Sequence, residues 1–312
     1  MELGLANLEE FGNTLLQMGV QDKDVLVVTS DSRGSGKLVP YGQSLPGQIV
    51  EVGIAEQNLV GISAGLASTG KKVFAVSPAC FLTTRALEQI KNDVAYSNNL
   101  VKVIGISAGV SYGALGTTHH SLHDYAALRA INNIDVVAPA DNFETRQALH
   151  AALTHPRPIY IRFGKKAMPH LHRPEASFAI GKAITLREGT DVTFVATGEP
   201  LAQALEAAQL LEAEGVSCRV ISMHTIKPLD TETLLAAARN TKALITVEEH
   251  SQYGGLGSAC AEVLMENGVC VPFKIVAIPD EYTVTGSQSD IYKHYGITPQ
   301  GLAHTARTLM ER

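Results

Sequence analysis

The sequence predicts an α/β chain of two three-layer domains built on mainly parallel sheets. Three observations carry that reading. Short β-rich runs alternate with longer helical patterns along all 312 residues. The strand runs are continuously apolar, as strands become when helices cover both faces of a parallel sheet. The length is more than one core usually organises, and the alternation breaks once, over an irregular stretch of mixed charge at 164–190 that includes Pro169 and Pro174.

Taken in order, the first domain (1–170) offers strands at 24–30, 72–77, 101–107, 135–139 and 158–163. Its helices are expected near 56–69, 82–97, 122–131 and 142–154. A linker is placed at 171–190. The second domain (191–312) resumes with strands at 191–197, 217–222, 243–249 and 273–278, and helices near 199–214, 230–239, 255–267 and 298–311. In open parallel sheets, ligands bind beyond the carboxyl ends of the strands. In the first domain those ends carry SDSRGSG, PACFLTTR and AGVSYGALGTTHHSLHD, so chemistry is sought there.

Composition narrows the function classes. With 45% hydrophobic and 18% charged residues the chain is globular. No run of about 18 apolar residues exists to span a membrane, and the opening MELGLANLEEFG has no basic-then-apolar secretory pattern. A net charge of −6 without a Lys/Arg block argues against general nucleic-acid binding. The four cysteines, Cys80, Cys218, Cys260 and Cys270, have no metal or redox spacing and read as reduced thiols of a cytoplasmic protein.

Several motifs are absent: a Walker A loop, a GxGxxG after the first strand, and a GxSxG elbow. His119, His120, His123 and Asp124 form the densest titratable group. His119 and His123, four apart, could share a helix face and hold a metal; contacts to a phosphate or sugar, or a solvated loop, are the alternatives. The glycines of TVEEHSQYGGLGSACAEVL (246–264) fit either an anion site at a helix start or a tight turn. Arg162 ends a strand and could bind an anionic group or form an ion pair. Glu56 opens a small-residue helix, where an acid ordinarily serves the helix dipole.

Three blocks, VEVGIAEQNLVGISAGLASTGKKVFA (50–75), FLTTRALEQIKNDVAYSNN (81–99) and GALGTTHHSLHDYAALRAINNIDVVAPADNFET (113–145), together resemble the pyrimidine-binding domain of transketolases. The run from IGKAITLREGTDVTFVATG to TVEEHSQYGGLGSACAEVL resembles the C-terminal domain of the same superfamily, so the likeness covers nearly the whole chain. It implies thiamine diphosphate as cofactor, bound between two domain types. One type holds the diphosphate through Mg²⁺ with a Gly-Asp-Gly motif and a downstream Asn. This chain has no Asp-Gly dipeptide. The resemblance therefore implies the C-terminal half of a split transketolase, with the Mg²⁺ ligands on an N-terminal partner subunit and an α2β2 assembly. The expected reaction moves a two-carbon ketol unit from a ketose to an aldose, phosphorylated or not.

The resemblance also implies residue roles. Glu56, in GIAEQ, matches the family's catalytic glutamate. A carboxyl group against the cofactor's N1′ lets the 4′-amino group draw the proton from the thiazolium C2, and desolvation favours a carboxyl that can carry a proton. Phe81 matches the aromatic residue that stacks on the pyrimidine. His119 matches a catalytic histidine that contacts substrate. Arg162 and Ser35 match substrate-phosphate contacts. Departures weaken the claim to ordinary pentose phosphates. Ala114 and Leu115 replace an acidic pair, and Ser107 replaces a histidine. Pro78 replaces an aromatic, His120 follows the usual Thr-His, and an expected arginine is missing near Leu8. Competing readings are a β-like subunit of a 2-oxoacid dehydrogenase, a deoxyxylulose-phosphate synthase-like subunit, and a cofactor-free regulatory or scaffold subunit.

Overall fold

The computed structural model describes residues 2–173 and 175–311. Its strands are β1 (Leu3–Ala6), β2 (Val25–Thr29), β3 (Ile49–Glu51), β4 (Lys72–Pro78), β5 (Lys102–Ile106), β6 (Asp135–Val137) and β7 (Ile159–Phe163). They continue as β8 (Ala167–Pro169), β9 (Ile184–Arg187), β10 (Val192–Ala196), β11 (Cys218–Ser222), β12 (Thr225–Lys227), β13 (Ala243–Ser251) and β14 (Phe273–Ile278). They form a seven-stranded sheet in the order β12-β6-β7-β5-β4-β2-β3 and a five-stranded sheet in the order β14-β13-β10-β11-β9. All pairs within these two sheets are parallel except β12 on β6 and β9 on β11, each at a sheet edge. The central strands are buried on both faces, which is why they read as unbroken apolar runs.

The expected two-sheet α/β architecture holds, with differences of detail. Residues 184–187, expected as linker, form edge strand β9, and β12 leaves the second half of the chain to close the first sheet. Helix Asn7–Gln21 was not anticipated, although Leu8, Phe11, Leu15 and Met18 make one buried stripe at helical spacing. The single helix expected at 82–97 is broken into Ala79–Arg85, Leu87–Gln89 and a π-helical turn at Ile90–Tyr96. Leu82, Ala86, Ile90 and Val94 are all fully buried. A strict four-residue repeat outruns the 3.6-residue turn of an α-helix, and the wider turn keeps these side chains facing the sheet.

Polar contacts tie the two sheets together. Asp141 caps helix Asn142–Thr154 through the Glu144 amide and also accepts from the Leu171 amide and from His172 Nδ1 (2.9 Å). His172 Nε2 lies 3.0 Å from Glu144 Oε1, which in turn accepts from Ser222 Oγ at 2.5 Å. Burial alone would favour the neutral imidazole, but the two carboxylates overcome it and hold His172 protonated, pushed up to about 10. Nearby, Gly109 packs against Glu249 and Gly164 against Glu199, each so closely that a Cβ would lie 2.3 Å or 1.9 Å from the carboxyl group.

Candidate active site

Three loops meet at the carboxyl ends of β2, β4 and β5. Backbone strain marks two of the ends: Asp31 after β2 and Ser107 after β5 are non-glycine residues at φ 50° and 55°. Such conformations cost of order 1 kcal/mol and persist only where the surroundings enforce them. The Asp31 amide is held by Glu51 Oε1 at 2.6 Å.

Beside these ends, helix Glu56–Ser68 begins with its acid turned inward. The Glu56 side chain is only 5% exposed, unlike the solvated acid that ordinarily serves a helix dipole. Its Oε1 accepts from Arg85 Nη1 at 2.7 Å, and Arg85 itself is half-exposed. The Arg85 guanidinium lies 4.2 Å from the centroid of the Phe81 ring. His119 meets Phe81 edge-on at 5.3 Å and Tyr112 edge-on at 5.4 Å, and Lys165 Nζ lies 4.8 Å from the Tyr112 centroid. Glu56, Arg85, Phe81, His119, Tyr112 and Lys165 therefore form one continuous surface carrying an acid, an aromatic plate, an imidazole and a lysine ammonium. His119 Nδ1 bonds Thr118 Oγ1 at 2.9 Å, and its Nε2 has no hydrogen-bond partner among the described residues.

The neighbouring histidines are differently employed. His120 is buried, with Nδ1 on Thr283 Oγ1 and Nε2 on the Gly113 carbonyl, both at 2.9 Å. Burial lowers its basicity, and its contacts pin the loop to the second domain. His123 Nε2 lies 3.4 Å from Thr83 Oγ1. The next helix starts only at Asp124, so His119 and His123 share no helix face. Among the described residues no group of three or more His, Cys, Asp or Glu is arranged to hold a metal ion.

Two of the expected substrate contacts sit apart from this surface. Arg162 is buried, donates to Asp124 at 2.9 Å and 3.1 Å and to the Glu249 carbonyl at 2.7 Å, and stacks on Tyr125 at 4.0 Å. Desolvation opposes its charge, but Asp124 more than offsets this and holds the guanidinium charged. Both of its terminal nitrogens, Nη1 and Nη2, are engaged inside the protein, so in place of the expected phosphate contact Arg162 forms an internal ion pair with Asp124. Sequence spacing could not reveal that Asp124 faces it. Ser35 is exposed with its hydroxyl on the Ser32 carbonyl at 3.4 Å, and no contact among the described residues joins it to Phe81 or His119. Leu8, where an arginine was expected, is a fully buried core residue. The glycine turn at 254–255 resolves as a self-filled anion site: the Leu256 and Gly257 amides donate to Glu248 at 2.7 Å and 2.8 Å. Arg85, Tyr112 and Lys165 were missed. Arg85 follows Phe81 by four residues, a helical spacing that could have signalled their contact, and Lys165 falls in the irregular stretch.

Comparison with known proteins agrees with this architecture. Residues 4–170 match the transketolase pyrimidine binding domain and residues 181–302 the transketolase C-terminal domain. The chain belongs to the transketolase family. It is 47% identical over 309 residues to a subunit of the apulose-4-phosphate transketolase of Phocaeicola vulgatus, covering 99% of this chain and 98% of the relative. It is 36% identical over 310 residues to the corresponding apulose-4-phosphate transketolase subunit of Actinobacillus succinogenes, covering 98% and 100%. A solved split-gene transketolase, described as an inactive beta4 tetramer, superimposes with a TM-score of 0.89 at 37% identity, covering 99% of both chains.

Proposed function

We propose that this chain is the pyrimidine-binding subunit of a two-chain transketolase that uses thiamine diphosphate and moves a two-carbon ketol unit between sugars. The observation that carries the reading is the buried Glu56 carboxyl joined to the Phe81 ring through one side chain, Arg85, which touches both. An aminopyrimidine needs such a pair: a carboxyl for its N1′ nitrogen and an aromatic face for its ring. When bound, the cofactor supplies the reactive carbon that carries the two-carbon unit. The chain's own residues orient it and move protons. Glu56 is the hydrogen-bond partner of N1′, and Phe81 sets the plane of the ring at roughly 1 kcal/mol beyond burial. His119, through its Nε2, contacts the substrate's oxygens and shuttles a proton to or from them. Lys165, not Arg162, is the cation placed to meet an anionic substrate group.

The diphosphate and Mg²⁺ ligands are assigned to a separate N-terminal subunit, because this sequence has no Asp-Gly dipeptide. A face for that partner is available beside Glu56. Ile54 is 75% exposed, and a Cβ added at Gly61 or Gly65 of the same helix would meet nothing within 4 Å. The relatives' names make a ketose phosphate such as apulose 4-phosphate the first substrate to test. Mixing this chain with its partner, thiamine diphosphate and Mg²⁺ should produce ketol transfer that neither chain gives alone. Full activity from one chain, or cofactor-independent activity of the pair, contradicts the proposal.

A further inference from the structure

Arg85 makes the same two contacts that the proposed function requires of an aminopyrimidine. Its planar, cationic guanidinium donates to Glu56 Oε1 at 2.7 Å and covers the Phe81 ring at 4.2 Å. Like an aminopyrimidine, it has a flat face for stacking, and its N–H donors occupy the carboxyl group that N1′ would otherwise engage. The two neighbours differ in freedom. Glu56 is 5% exposed and fixed at a helix start, whereas Arg85 is 47% exposed at the end of the short helix Ala79–Arg85. One long, half-solvated side chain can leave; the buried acid cannot. A buried carboxylate with no partner is costly, so some donor must answer Glu56 whenever no cofactor is bound.

We propose that Arg85 is a displaceable stand-in for the aminopyrimidine. It holds the Glu56 carboxylate and the Phe81 face in the cofactor-free subunit, and it must swing out before the cofactor can engage either. The inference rests on the cofactor reading above. Its consequence is a competition: only the fraction of molecules with Arg85 displaced is binding-competent, and apparent affinity falls by that fraction.

The test uses the chain assembled with its partner subunit and Mg²⁺, titrated with thiamine diphosphate by calorimetry and followed by stopped-flow fluorescence. Arg85→Met keeps the stem and removes the guanidinium. It is expected to bind the cofactor about three- to tenfold more tightly and faster than the wild type. Without cofactor its melting temperature should fall, because Glu56 is left unpaired, and saturating cofactor should restore it. Arg85→Lys, which keeps the charge without the flat donor, should lie between the two. Weaker or unchanged binding by Arg85→Met, beside normal binding by the wild type, overturns the inference and leaves the cofactor reading standing. Absence of binding in both proteins overturns the cofactor reading and the inference with it.

Discussion

Glu56 and Arg162 illustrate how far single residues could be read in advance. The burial of Glu56 follows from its place at the start of an apolar, small-residue helix, and the structure puts it beside Phe81 through Arg85. Arg162 carried an equally plain motif match, but its environment is set by Asp124, 38 residues away in sequence, and by a carbonyl of the second domain. Charge partners that converge only in three dimensions leave no local trace. In the proposed function the cation that meets an anionic group is Lys165, which lies over the face of Tyr112, itself packed on His119. Lys165→Met should raise KM for a phosphorylated substrate about tenfold, equivalent to ~1.4 kcal/mol, with kcat largely kept. Steady-state kinetics with a phosphorylated and an unphosphorylated sugar check this. An equal change for both sugars argues against a phosphate contact.

At the scale of elements, strand positions were legible because continuous apolar runs of that length, bounded by turn residues, fit little besides a buried strand. The short strands β1, β3, β8, β9 and β12 escaped because three or four residues carry too little pattern unless, as at β6, they lie in a longer apolar run. The domain seam was illegible for a different reason: its carboxyl groups look like surface acids in sequence. Glu199 is buried against Gly164 and shares the Gln288 side chain with Glu249. Desolvation first, and then the negative charge of Glu249, push Glu199 up to about 8. The sign of the consequence follows directly. Its folded value is raised above the ordinary 4.5, so its contribution to stability is fully present below that value and is lost as pH rises through about 8. His172, raised from 6.5 to about 10, adds a second loss in the same direction. Melting temperature should therefore fall between about pH 4.5 and 10, by several degrees, and Glu199→Gln should flatten the part of that slope below about pH 8. Calorimetry across this range checks it; a flat wild-type profile, or an unaltered slope in Glu199→Gln, contradicts the assignment.

For the whole molecule, the two-sheet plan and the general position of the site were readable because the topology rule sends ligands to the carboxyl ends of parallel strands. What could not be read was how the chain closes on itself. β12 crosses back to the first sheet, His120 reaches Thr283, and Arg162 reaches Glu249. These ties make the first domain's loops and the second domain one support for a surface that, in the proposed function, is half of a cofactor site. The central claim is that Glu56 completes that half by acting on the cofactor's N1′. The most direct measurement is the rate at which the C2 proton of thiamine diphosphate exchanges with deuterium in the assembled enzyme, followed by NMR after acid quench. With Glu56→Gln, cofactor still bound, exchange should slow by about 10²- to 10⁴-fold relative to the wild type. Exchange at the wild-type rate in the saturated variant would contradict the account.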